Sequence, residues 1–146
     1  MVRQITLGWI VTVSIIASAT AKGESEEDLA ADILGDWDIV GMVHRGEVSG
    51  PDHVIHYTLR IEKDKWIVKP KDYDARGIEF NWRIKAGKGS GDFDLIGKTG
   101  VHLARYELKD GVLKIIVARS EKPRPADFDA EKNADVTLYI LSKPKK

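Results

Sequence analysis

From Gly35 onward the apolar side chains recur at every second position. Trp37, Ile39, Gly41 and Val43 alternate with Asp36, Asp38, Val40 and Met42, and Ile55, Tyr57, Leu59 and Ile61 alternate with His56, Thr58, Arg60 and Glu62. Trp66 and Val68 continue the pattern. Ile78, Phe80, Trp82 and Ile84 then stand against Glu79, Asn81, Arg83 and Lys85, and Phe93 and Leu95 mark a short strand. Over 101–108 the inward face is Ala104, Tyr106 and Leu108, with Arg105 and Glu107 outward. Leu113, Ile115 and Val117 follow with Lys114 outward, and Val136–Leu141 is the last run. A period of two is the signature of a strand with one buried face.

Turn formers separate the runs: Gly46, Gly50-Pro51-Asp52, Lys63-Asp64, the loop 71–77, the glycine-rich 86–92, the stretch 97–100, and Lys109-Asp110-Gly111, in which Asp-Gly accepts positive φ. The segment 119–134 is a long charged loop with two prolines. Upstream, Ser25 is a candidate N-cap with Asp28 in the first turn, and Leu29, Ile33 and Leu34 fall at helical spacing; this predicts a short amphipathic helix over 25–34, stopped by Gly35.

These runs make about eight strands with no helical pattern between them, which argues against parallel βαβ units. An open sheet would leave edges exposed. Closing the strands into an up-and-down antiparallel barrel buries each apolar face and removes the edges. The predicted fold is therefore all-β, an antiparallel barrel of about eight strands with one short N-terminal helix. A two-sheet sandwich is the rival.

Residues 1–21 belong to a different pattern. Arg3 is their only charge, Ile5–Ala17 is weakly polar to apolar, and Ala17-Ser18-Ala19 and Ala19-Thr20-Ala21 each fit a small-residue cleavage site. This is the layout of a secretory signal peptide, with cleavage expected after Ala21; an uncleaved anchor is the alternative. Residues 22–146 then form a single exported domain, periplasmic or extracellular, with no stable membrane insertion once the signal is removed.

Composition narrows the function classes. The 146 residues carry 23 Lys+Arg against 23 Asp+Glu, which is not the basic balance of a general nucleic-acid binder. There is no cysteine, hence no disulfide framework, no thiolate metal site and no thiol nucleophile.

Leu34-Gly35-Asp36-Trp37 has the G-x-W pattern that opens the first strand of lipocalins and related calycin barrels. The chain more specifically resembles a lipocalin-like domain that recurs in exported proteins of planctomycete bacteria. The opening runs Leu34-Gly35-Asp36-Trp37-Asp38-Ile39-Val40. A strand pair follows over 104–115, with Ala104 where the family usually has Gly, and then the loop Arg124-Pro125-Ala126-Asp127-Phe128. The likeness spans about 33–143, with 44–100 aligned by pattern alone. It implies an exported antiparallel barrel and no particular reaction. It also implies that Trp37 packs at the barrel floor under a basic side chain from late in the chain, for which Arg124 is the candidate.

Tyr57, Trp66, Phe80, Trp82, Phe93 and Tyr106 fall on predicted inward faces and are the candidates for lining a ligand cavity. So many rings also suit a filled interior. His53 and His56 on a strand would point to opposite faces, and nothing aligns them with His44 or His102, so solvent-facing histidines are expected rather than a metal site. The acids of 72–77 lack the closing Glu of a calcium loop, since Arg83 stands there. Residues 87–91 lack P-loop spacing, and no G-x-S-x-G or H-E-x-x-H occurs. The basic tail 143–146 reads as solvated. The expectation is an exported, non-enzymatic lipocalin-like barrel that takes a small apolar molecule inside or a protein partner on its rim loops. It implies no catalytic residue, no metal, no cofactor and no nucleic-acid partner. A structural or envelope-associated interaction domain with a filled core is the alternative, and a hydrolytic or metal-dependent enzyme the second alternative.

Overall fold

The computed structural model describes residue 29 and residues 31–54, 57–70, 80–87 and 91–146. A 3-10 turn, Ala31–Ile33, leads into nine strands: β1 (Gly35–His44), β2 (Glu47–Ser49), β3 (Tyr57–Ile61), β4 (Lys65–Pro70), β5 (Phe80–Ala86), β6 (Asp92–Gly97), β7 (Gly100–Lys109), β8 (Val112–Ala118) and β9 (Val136–Ser142). A single helical turn, α1 (Pro51–Val54), lies between β2 and β3. Of the helix predicted over 25–34, the described part holds only the 3-10 turn and buried Leu29; the signal-peptide segment and the acidic loop 72–77 lie outside the described residues, as do Ile55 and His56.

Each strand pairs antiparallel with its neighbour in the order β1-β3-β4-β5-β6-β7-β8-β9, and β9 returns to β1, closing an eight-stranded barrel. β2 is a short extra strand hairpinned onto β1. Closure leaves the barrel strands without free edges, so their backbone groups pair around the ring rather than with another chain. The turns follow local chemistry. Asp110 (φ 52°) and Gly111 (φ 75°) both adopt positive φ, as a type I′ hairpin between β7 and β8 demands. At Gly91 (φ 77°) a Cβ would sit 2.6 Å from the Tyr106 carbonyl oxygen, so only glycine fits where β6 starts beside β7.

The ladder register defines two ends. At one lie Gly35, the turn 62–64, the β5–β6 hairpin and the β7–β8 hairpin. At the other lie His44, α1, Tyr57, the turn 98–99 and both ends of the 119–135 segment. The first end is packed solid. Leu29, Ile33 and Trp37 join Leu59, Ile61, Phe93, Leu113, Ile115 and Leu141 in the main core. Trp37 is 1% exposed and its indole Nε1 donates to the Ile33 carbonyl at 2.8 Å, tying the 3-10 turn to the barrel floor. The cation over its ring is Lys143, with Nζ 3.9 Å from the ring centroid and within 3.3 Å of the Leu34 carbonyl.

Arg124, which the family resemblance places against Trp37, is elsewhere. Its guanidinium lies on the outer face of β6 and β7, donating to the Phe93 carbonyl at 2.8 Å, to the Ala104 carbonyl, and to Asp94 Oδ1 at 2.6 Å. Arg105 beside it donates to Asp92 Oδ1 at 2.9 Å and to the Ala126 carbonyl at 3.0 Å. These bonds strap the 119–135 segment to the barrel. Under the same segment a second small core forms on the outside of the barrel, from Val43, Ile116, Ala118, Ala130, Val136 and Leu138, with Phe128 and Ile140 packed against it.

Strict alternation fails in β1. Ile39 pairs with Leu141 and Gly41 with Ile140, so Val40 is an extra residue in a β-bulge. Past it the parity inverts: Met42 packs against the main core and Val43 sits in the outer one, the reverse of the sequence expectation. On the floor side, Asp36 accepts two bonds from Arg60, at 2.6 and 2.8 Å, and these hold its carboxyl below the ordinary aspartate value.

Candidate functional site

The unpacked half of the barrel encloses a cavity of about 520 Å³, partly open to solvent at the end away from Trp37. Its size is that of pockets that hold small organic ligands. The bulge in β1 shapes one wall, because inverted parity turns Met42 and His44 toward the cavity. The deep wall is apolar and aromatic: Ile39, Met42, Trp66, Val68, Leu95 and Tyr139. Trp66 is the boundary between filled and open halves. Its ring stacks on Phe93 with centroids 6.1 Å apart and meets Tyr139 edge-on at 5.9 Å, while it also lines the cavity.

Tyr139 is the polar exception at depth. Burial pushes its phenol above the ordinary tyrosine value, so it remains neutral.

The mouth is basic and hydrogen-bonded. His44 Nδ1 lies 2.8 Å from Thr137 Oγ1. The His102 ring stacks on Trp82 with centroids 4.9 Å apart, its Nδ1 3.1 Å from the Ala118 carbonyl and its Nε2 3.3 Å from Thr99 Oγ1. The carbonyl can only accept, so His102 Nδ1 carries the proton. His53 on α1, Tyr57 at the start of β3 and Arg119 just past β8 complete the rim. No group of three or more metal-ligating side chains converges among the described residues.

Of the residues predicted to line a cavity, Tyr57, Trp66 and Trp82 do so. Phe93 and Tyr106 do not: they face inward, 6.0 Å apart, but belong to the filled floor. Phe80 stands in β5, and its side chain lies outside the described residues. The filled interior that the number of rings suggested is thus confined to one half of the barrel. Of the histidines expected to face solvent, His44 and His53 are exposed at the mouth of the cavity, whereas His102 lines it half-buried. Two signals in the sequence pointed that way. Counting back by twos from Ala104 puts His102 inside, and a glycine within a strand, Gly41, marks a bulge that would have turned His44 inward.

Fold and site together define a closed antiparallel β-barrel, packed at one end and hollow, apolar and basic-rimmed at the other. Family models, curated proteins and solved structures give no match to this chain.

Proposed function

We propose that the protein is an exported, lipocalin-like carrier or sensor that binds one small, largely apolar molecule in the open half of its barrel, without catalysing a reaction. The cavity of about 520 Å³ with its aromatic wall carries the reading. Burying an apolar ligand there removes both its surface and the wall's from water, at roughly 25 cal/mol per Å². Rigid strands pre-form the site, so little ordering cost offsets the gain. The wall favours binding over catalysis. His44 and Thr137 pair a base with a hydroxyl, but a nucleophilic dyad needs a third group to orient the base, and no acid lines the described part of the cavity. Export rests on the charge and small-residue pattern of 1–21, and family membership on the motifs at 34–40, 104–115 and 124–128.

The test is titration of the purified protein with N-phenyl-1-naphthylamine, a neutral apolar fluorophore, alongside a Val68→Trp variant that fills the cavity. Saturable one-to-one binding, quenching of tryptophan emission, and loss of both in the folded variant are expected. Absence of saturable binding, or binding indifferent to the filled cavity, overturns the proposal. Mass spectrometry of the protein exported by its host should find Lys22 first; intact Met1 in a membrane fraction would reverse the export reading.

A further inference from the structure

The cavity wall is chemically lopsided. The chain as a whole balances 23 acidic with 23 basic residues, yet every residue on the described wall with a side chain that ionises near neutrality or is permanently charged is a base: His44, His53, His102 and Arg119. These bases stand at the mouth, whereas the deep wall offers only neutral groups. Building on the ligand-binding reading above, we propose that the cavity takes a single-chain amphiphile with an anionic head, the tail lying against Trp66, Trp82 and Tyr139 and the head held at the rim by His44, His53 and Arg119.

The orientation follows from the cost of burial. A carboxylate at the depth of Tyr139 would lose its hydration with only a neutral phenol to replace it, a penalty of several kcal/mol. At the rim it keeps part of its water and gains charge-assisted hydrogen bonds. His102 is not a head-group ligand, because both ring nitrogens are engaged and one face lies on Trp82. His44 engages Nδ1 with Thr137, which leaves Nε2 to face the head group, as a donor when the Thr137 hydroxyl gives its proton to Nδ1. Among the described residues Arg119 has one carboxylate within 4 Å, Asp135 at 3.7 Å. Both side chains of that pair are well exposed, 59% and 42%, so the contact is long, screened and readily exchanged for a better anion. The aromatic wall by itself would also receive a quaternary ammonium through its ring faces, and the basic rim opposes that.

Calorimetric titration with dodecanoate, dodecanol, dodecyl phosphate and dodecyltrimethylammonium separates head from tail. Dodecanoate should bind about ten-fold or more tightly than dodecanol, with the cation weakest and the acid's advantage shrinking as salt rises. Dodecyl phosphate tells a carboxylate source from a phosphate one, and either anion ahead of the alcohol fits the proposal. In a combined His44→Gln, His53→Gln, Arg119→Gln variant the acid should fall to the level of the alcohol, while the alcohol binds as before and so reports an intact fold. Equal binding of acid and alcohol, or a preference for the acid that survives in the variant, overturns the inference and leaves the cavity reading standing. Failure of all four to bind removes both.

Discussion

At the scale of the residue, Trp37 concentrates more of the fold than any other side chain. It is the largest fully buried group among the described residues, it satisfies the carbonyl of Ile33, and it lies beneath Lys143. Trp37→Ala removes the ring from a floor that has no room to collapse and leaves that carbonyl without its donor. The expected loss is about 3–5 kcal/mol in urea denaturation, and a loss under about 1 kcal/mol would refute the placement. Lys143→Gln should cost far less, about 0.5–1 kcal/mol, because an exposed cation over a ring is a weak contact. The motif around Gly35 and Trp37 was legible because a buried tryptophan beside a chain entry leaves a local mark. Its cationic neighbour was not legible. Arg124 and Lys143 are both basic and both late in the chain, and only the closure of β9 onto β1 decides which reaches the floor.

At the scale of the element, the strands could be read wherever one face is wet and became illegible where both faces are covered. In β3 buried Leu59 and Ile61 flank exposed Arg60, and in the last part of β7 half-buried Tyr106 and Leu108 alternate with exposed Glu107 and Lys109. In β8 and β9 the runs Ile115-Ile116-Val117-Ala118 and Leu138-Tyr139-Ile140-Leu141 are apolar on both faces, because the 119–135 segment covers the outside. Composition marked that segment as a long charged loop, yet Pro125 and Ala130 are buried and Arg124 anchors it. Arg124→Ala should therefore cost about 2–3 kcal/mol, since it leaves Asp94 and two backbone carbonyls without their shared donor. Arg124→Lys should recover less than half, because an ammonium cannot reproduce the planar fork. Arg119→Ala, at an exposed pair, should cost under about 1 kcal/mol. Denaturant midpoints of the three variants check the ranking; equal losses at Arg119 and Arg124 would mean the segment is not strapped at Arg124.

At the scale of the whole molecule, the barrel has two halves of different character, and its stability should divide the same way. A sealed void of about 520 Å³ would cost about 12 kcal/mol at roughly 24 cal/mol per Å³, comparable to the entire stability of a domain this size. The hollow half therefore has to communicate with water, and the floor has to hold the fold together. The position of the cavity could not be read from the sequence, because the rings that fill the floor and those that line the hollow share one parity; only the register of Trp66 against Phe93 and Tyr139 separates them. Native-state hydrogen exchange reads the division directly. Amides of Leu59–Ile61 and Leu113–Ile115 should exchange only through global unfolding, whereas those of Tyr57, Val101 and Thr137 at the mouth should open by smaller fluctuations costing at least about 2 kcal/mol less. A molecule bound in the hollow is lost when the mouth opens, and global unfolding releases it as well. At a hundredfold excess over its dissociation constant it should raise protection at the mouth by about 2.7 kcal/mol, and at the floor by the same amount, through the global equilibrium. Uniform protection in the free protein would show that both halves are held equally, and a ligand that slowed the floor but not the mouth would have to be bound somewhere other than the hollow.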